Sequence, residues 1–204
     1  MKPKLPLFIV FEGIDGSGKS TQADLLHGYC KKNDIPSMLF REPTDGPWGK
    51  KIRAMLSGEF RADVKGQLEL FLQDREYDVG NNIRPALEEG NLVILDRYYF
   101  STAAYQGGDQ FTTHEIIAMN VSRGFPRPDR VYLIDIDLPT ALRRVGERNP
   151  GREEIFEKKQ FLEKVRKNYL DLVDETFCVV NGNRKQEEIY YDICHDLEQV
   201  TSSI

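Results

Sequence analysis

Cysteine is scarce in this chain of 204 residues. The three that occur, Cys30, Cys178 and Cys194, are odd in number and show no metal-ligand spacing. That excludes a disulfide framework and a cysteine-built zinc site. They read as buried, reduced thiols, which makes the cytoplasm the expected setting. Histidine is equally sparse. His27, His114 and His195 stand apart and read as surface or packing residues. Long apolar runs are missing: no stretch approaches the ~20 residues of a membrane span. Met1 to Pro6 leads directly into a predicted strand, which leaves no secretory signal to expect. An excess of basic charge is also lacking. Lys and Arg number 28 against 33 Asp and Glu, a net charge of −5, which argues against a nucleic-acid partner. Repeats, low-complexity stretches and interdomain linkers do not occur. What remains, 40% hydrophobic and 30% charged residues, suits one soluble α/β domain over residues 1–204.

Against that background one stretch stands out. Gly13-Ile14-Asp15-Gly16-Ser17-Gly18-Lys19-Ser20 fits G-x-x-x-x-G-K-[ST]. The apolar run Leu7 to Phe11 before it reads as a fully buried strand. Thr21 to Lys32 after it has helical spacing in Ala23, Leu25, Leu26 and Tyr29. Gly13, Gly16 and Gly18 let the backbone turn its N–H groups into one concavity, and the helix N-terminus adds partial positive charge there. Lys19 can reach the β- and γ-phosphates of a bound nucleoside triphosphate, and the Ser20 hydroxyl can hold Mg²⁺. A glycine turn that merely joins strand to helix would have no use for Lys19 and Ser20.

Four further apolar runs follow: 37–40, 92–95, 131–136 and 177–180. Helix-like segments lie near 48–57, 64–89, 113–123, 139–148, 155–174 and 185–199. Strands separated by helices predict a parallel sheet with helices on both faces. Ligands of such sheets sit at the carboxyl ends of strands. There the chain carries the glycine loop, then Arg41-Glu42-Pro43, then Asp96-Arg97-Tyr98. Asp96 suits a Mg²⁺ ion, directly or through water, or else it caps the next helix. Arg97 can pair with Asp96 or grip a phosphate, and Arg41 has the same choice with Glu42 as its partner.

The segment to Glu89 reads as one long helix. Val64, Leu68, Leu72, Val79, Ile83 and Leu87 form its apolar stripe. Phe71 and Arg75 stand four apart on one face, where a ring and a guanidinium can stack a planar base and hold its phosphate. Spacing alone favours the plainer reading, a core Phe and a surface Arg. Further on, Arg143, Arg144, Arg148 and Arg152 cluster around the break at Asn149-Pro150-Gly151. They suit either a closing lid that delivers arginines to a phosphoryl group or a solvated helix end.

Taken together these residues resemble the thymidylate kinase family of nucleoside monophosphate kinases. The resemblance runs from about Leu7 to Val180 and rests on Phe11 to Gln22, Arg41-Glu42-Pro43, Phe71 with Arg75, Asp96-Arg97-Tyr98, Ala104-Tyr105-Gln106-Gly107 and Arg127-Pro128-Asp129. It implies a P-loop NTPase-type three-layer sandwich with a five-stranded parallel sheet and a short lid near 145–156. It also implies ATP and dTMP as substrates, Mg²⁺ as cofactor, and a homodimer, with which the long apolar stripe is compatible.

At matching positions the resemblance places ATP on Gly13, Asp15, Gly16, Ser17, Gly18, Lys19, Ser20 and Thr21, with Arg144 stacked on adenine. Asp15 would accept a hydrogen bond from the acceptor's 3′-hydroxyl, and Arg41, Arg75 and Arg97 would surround its phosphate. Phe71 would stack on thymine, with Thr102 near the base edge and Gln106 in the same site. Tyr105 would fill the space of a 2′-hydroxyl. Ser20 and Asp96 would serve the metal, and Lys19, Arg97, Asp15 and a lid arginine the chemistry. Many members carry an acid-Arg-x-Glu lid, whereas this chain reads Glu154-Ile155-Phe156-Glu157. Arg148 or Arg152 is then the substitute, and Arg152 lies closer to the lid's second helix. The alternatives are a kinase of another deoxynucleoside monophosphate or small phosphorylated metabolite, and a slow nucleotide switch. Pairing of Phe71 with Arg75 counts against a metabolite. Asn181-Gly182-Asn183 is not the guanine-reading motif of a switch.

Overall fold

The apolar run before the glycine loop becomes the middle strand of a sheet. In the computed structural model, which describes residues 6–148 and 155–202, β1 (Leu7–Glu12) lies between β3 (Leu92–Asp96) and β4 (Arg130–Asp135). The edges are β2 (Ser37–Arg41) and β5 (Phe177–Asn181), giving the order β2-β3-β1-β4-β5. Every pairing is parallel, the outcome expected when each strand is followed by a helical crossover. All residues of β1 and β3 are buried. Successive side chains point to opposite faces, so both faces of the sheet centre are covered. Edge strands are wetter: Met38 of β2 is 42% and Val179 of β5 is 46% exposed.

Register decides what meets at the carboxyl end. Phe11 and Arg41 both pair with Asp96. The three strand exits picked out in the sequence therefore lie side by side. Helix α1 (Lys19–Lys32) leaves the loop after β1 and carries Lys31 and Lys32 in its last turn, where cations complement the helix dipole. Helices α2 (Pro47–Leu56) and α3 (Val64–Asp78) pack on one another beyond β2. The Asp63 carboxylate caps α3 at the Gly66 amide.

The predicted helix 64–89 is found, unbroken over residues 64–88 but not uniform. It widens into a π-helical turn at Val79–Ile83 before the short α4 (Arg84–Glu88). Pro85 has no N–H for the helix ladder and its ring crowds the carbonyl four residues back, in a stretch of Gly80, Asn81 and Asn82 that favours helix weakly. The apolar stripe is spent inside the molecule: Leu68, Leu72, Val79 and Ile83 are buried in the core. It is not available as a dimer face.

A helix absent from the sequence reading follows β3. It is α5 (Tyr99–Gln106), whose N-cap, Tyr98, offers no side-chain cap. Helix α6 (Thr113–Ser122) starts with a capping box of Thr112 and Glu115. Helices α7 (Leu138–Arg148), α8 (Ile155–Asp171) and α9 (Gln186–Ser202) complete the chain. Asp129 accepts a hydrogen bond from the Phe8 amide at 2.7 Å, so Arg127-Pro128-Asp129 ties the entry of β4 to β1. Among the described residues no helix is long and apolar enough to cross a membrane. The three cysteines are free thiols, with Cys30 buried and Cys178 and Cys194 half-buried.

Candidate active site

The glycine loop takes the shape its sequence predicts. Gly13 and Gly16 have φ of 143° and 86°, and a Cβ on them would sit 2.6 Å from the Ile134 carbonyl and 2.7 Å from the Ala141 carbonyl. Only glycine admits both the backbone angle and the close approach of β4 and α7. Gly18 caps α1, which begins at Lys19 with no acidic residue in its first turn. The positive end of the helix thus faces the loop's concavity, with Ser20 and Thr21 in its first turn.

Lys19 is 6% exposed. Burial, reinforced by the nearby charge of Arg97, pulls its ammonium down to about 8 against the opposing pull of Asp96, Asp15 and Glu12. Its Nζ lies 3.9 Å from Asp15 Oδ1.

Two pockets flank the loop. One, of about 220 Å³, is lined by Gly16, Ser17, Gly18, Thr21, Gln22, Arg144, Arg184, Gln186 and Ile189. Arg144 donates to the carbonyls of Gly16 at 3.2 Å, Ser17 at 3.3 Å and Gly182 at 3.3 Å, strapping the loop to the segment before α9. Its guanidinium is one wall of this pocket. Arg184 and Gln186 are not identifiable from the sequence, because only the crossover after β5 brings them to the loop.

The other pocket, of about 190 Å³, is lined by Asp15, Pro43, Leu56, Phe71, Arg97, Ser101, Thr102, Tyr105 and Gln106. Most acceptor-site residues expected from the sequence converge here. Arg97 is its cation. It has φ of 74°, a left-handed conformation that costs a non-glycine residue roughly 1–2 kcal/mol. Its amide donates to the Phe11 carbonyl at 3.0 Å. Its guanidinium reaches Asp15 Oδ1 at 2.5 Å and Ser101 Oγ at 2.9 Å, and lies 5.3 Å from the Tyr105 ring centroid. The Tyr105 hydroxyl accepts from the Asp15 amide at 3.2 Å. Gln106 donates to Gln67 at 3.4 Å.

Several partners differ from those the sequence allowed. Arg41 pairs with Asp96 at 2.8 Å rather than with Glu42. Asp96 therefore neither pairs with Arg97 nor caps α5. Its other oxygen, Oδ1, is buried with no hydrogen-bond partner. Phe71 is half-buried at the acceptor pocket, whereas Arg75 is 1% exposed. Neither a core Phe nor a surface Arg is found. Arg75 lies beneath the pocket, bonded to Asn120 at 2.7 Å, to Thr102 at 3.2 Å and to Glu42. Its two terminal nitrogens make these bonds, while Nε is buried with no hydrogen-bond partner. Burial pushes the Glu42 carboxyl up to about 8 against the pull of Arg75.

A larger cleft of about 740 Å³ runs along β2 between Arg53 and Asn82; it shares only Pro43 with the acceptor pocket, and Arg41 lines this cleft rather than that pocket. It lies off the glycine loop, so size is a poor guide to the chemistry here. Arg152 and the break at Asn149-Pro150-Gly151 lie outside the described residues, as does the side chain of Arg148.

Such a fold and site define a P-loop α/β phosphotransferase with a second binding pocket beside the phosphate loop. The comparisons narrow this. The profile of the family described as thymidylate kinase matches residues 11–193. The chain is 42% identical to a thymidylate kinase of Leptospira interrogans over 189 residues, 93% of this chain and 92% of that protein. It is 41% identical to a probable thymidylate kinase of Archaeoglobus fulgidus over 92% of each chain. A thymidylate kinase of Desulfotalea psychrophila is 36% identical over 94% of each. The chain belongs to the thymidylate kinase family. It is a kinase, and phosphoryl transfer of this class generally uses a divalent metal.

Proposed function

We propose that this chain transfers the γ-phosphoryl group of ATP to the 5′-phosphate of dTMP, giving dTDP and ADP. Beyond family membership, one observation carries the reading. The glycine loop separates two pockets, one bounded by Gly16 to Gly18 and the other by Asp15. A donor and an acceptor seated on either side would meet across it.

The donor's phosphates would lie on the loop amides and the α1 terminus, with Lys19 against them and adenine beside Arg144. The acceptor's ring would stack on Phe71, its base edge toward Thr102, its phosphate on Arg97 and Arg41. Arg75, bonded to Thr102 and with its Nε unpartnered, would join them at the phosphate. Asp15 would take the 3′-hydroxyl, and the Tyr105 ring would exclude a 2′-hydroxyl. The acceptor is already an anion, so no strong base is needed. Rate comes from positioning and charge neutralisation.

Among the described residues no group of three or more His, Cys, Asp or Glu could hold a metal on its own. That fits an ion held mainly by substrate phosphates with one or two protein oxygens. Mg²⁺ is the ion proposed, with Ser20 and the unpartnered Asp96 Oδ1 as its protein ligands. When bound it neutralises charge on the phosphate oxygens. Arg152 is proposed to bring a further positive charge to the transferring group. Assembly as a homodimer and a cytoplasmic setting belong to the same proposal, the latter suited by the free thiols.

The test is a turnover assay with ATP and a panel of monophosphates: dTMP, dUMP, dCMP and UMP. The expected result is preference for dTMP. Absence of dTMP turnover would refute the proposal.

A further inference from the structure

Glu12 ends β1, directly before the glycine loop, and lines neither of the two pockets beside it. It is 0% exposed. Its two oxygens accept from four donors. Oε1 takes the Tyr98 amide at 2.8 Å and the Ser101 amide at 3.1 Å. Oε2 takes the Ser101 hydroxyl at 2.6 Å and the Tyr169 hydroxyl at 2.9 Å. The Glu12 carboxyl thus caps the N-terminus of α5, where no local side chain does so. Burial raises its carboxyl, while these donors and the charge of Arg97 oppose the rise.

The same two hydroxyls hold Arg97. Its Nη1 donates to Ser101 Oγ at 2.9 Å and to Tyr169 Oη at 3.5 Å. A hydroxyl has one proton and two lone pairs. With the Ser101 proton given to Glu12, its lone pairs are left for the guanidinium and for the Tyr169 hydroxyl 2.8 Å away, whose one proton is shared between Ser101 and Glu12. Reversing that orientation would set two donors against each other. Glu12 also anchors the backbone just beyond the left-handed turn at Arg97, through the Tyr98 amide.

We propose that Glu12 is a positioning residue that aims the Arg97 guanidinium at the acceptor phosphate through Ser101 and Tyr169. The inference rests on reading Arg97 as a ligand of that phosphate.

The wild-type protein is first assayed with ATP and dTMP, and failure there counts against the proposed function, not against Glu12. The variants Ser101→Ala and Tyr169→Phe are then each made alone and with Arg97→Ala. Alone, each should lower kcat/KM for dTMP by about 10-fold, the coupling expected within one hydrogen-bond network. KM for ATP should stay within about 2-fold, since nothing on the donor side changes. With Arg97 already absent, neither should cost anything more. Calorimetry supplies a second readout. Binding of dTMP should weaken in both variants, while binding of thymidine, which lacks the phosphate, should not. Glu12→Gln, which turns Oε2 into a donor, should resemble the other two if it folds. If it does not fold, Glu12→Asp, which keeps the carboxylate but shortens its reach, takes its place, and a folded Glu12 variant that binds and turns over dTMP as the wild type does would overturn the inference. Equal losses with and without Arg97, or equal weakening of thymidine and dTMP, would overturn the inference.

Discussion

Arg97 donates to Asp15 Oδ1 at 2.5 Å, which ties the cation of the acceptor pocket to the loop that cradles the donor. Asp15 is the more exposed partner, at 56% for its side chain against 18% for Arg97. Its side chain is therefore accessible to an incoming ligand. If it takes the 3′-hydroxyl of the acceptor, dTMP should outperform 3′-deoxy-dTMP by about 10- to 100-fold in kcat/KM, the worth of a hydrogen bond to a charged group. In Asp15→Asn that ratio should shrink toward one. An unchanged ratio would remove Asp15 from the sugar.

Lys19 predicts a pH dependence on the donor side. Burial holds the ammonium at about 8 in the free protein, below its ordinary 10.5. Phosphates favour the charged form, so binding raises that value again. ATP affinity should therefore be level below pH 7 and fall as pH climbs through about 8. Near pH 8, calorimetry in buffers of different ionisation enthalpy should detect proton uptake on binding. Lys19→Arg keeps its charge throughout and should lose both features. No uptake in the wild type would count against a buried, partly neutral Lys19.

For Tyr105 the ring and the hydroxyl have separable duties. The hydroxyl accepts from the Asp15 amide, while the ring lies under Arg97 and lines the pocket. Tyr105→Phe should lose up to about 10-fold in kcat/KM, the scale of one hydrogen bond, and keep its preference for deoxyribose. Tyr105→Ala should lower the ratio of kcat/KM for dTMP over ribothymidine monophosphate by at least about 10-fold, the scale of a pocket-filling steric effect. Equal ratios in wild type and Tyr105→Ala would exclude a steric gate.

Asp78 bears on stability rather than turnover. Only 1% exposed, it keeps a hydrogen bond from Asn82 and leaves Oδ2 unpartnered. Burial, with Asp74 adding repulsion, raises its carboxyl from 3.8 to about 6 despite the opposing Asn82 bond and Arg75 charge. A folded value above the unfolded one gives stability that is present below pH 3.8 and lost as pH rises through about 6. Asp78→Asn keeps the acceptor for Asn82 and cannot ionise. It should stabilise the protein by about 1–3 kcal/mol at pH 8 and by close to nothing at pH 4, because each tenfold change in proton affinity between the folded and unfolded chain is worth ~1.4 kcal/mol. Denaturant titrations at the two pH values check this. A gain equal at both would show that ionisation is not the cause.

Local patterns carried the elements and the loop. The spacing of Gly13, Gly16, Gly18 and Lys19 is legible because backbone angles and a helix N-terminus are set within a few residues. The alternation of apolar runs with helices was enough for a parallel sheet. Widening at Val79–Ile83 had a local cause too, in Pro85 and the residues before it.

What the sequence could not determine is which charge answers which. Arg41, Glu42, Arg75, Asp96 and Arg97 were all visible. Arg41 had Glu42 beside it along the chain and Asp96 had Arg97, and neither neighbour pair formed. Arg41 and Asp96 close their strands, while Glu42 and Arg97 lie just past the strand ends, where the chain has already turned, Arg97 with a left-handed φ of 74°. Partners were set instead by the order β2-β3-β1-β4-β5 and its register, which put Arg41 beside Asp96. Burial then made those pairings obligatory, since a charge withdrawn from water must find a partner. Helix α5 is illegible in the sequence for the same reason. Its cap is a carboxylate 86 residues away from the Tyr98 amide and 157 from the Tyr169 hydroxyl. Only the folded sheet brings them together.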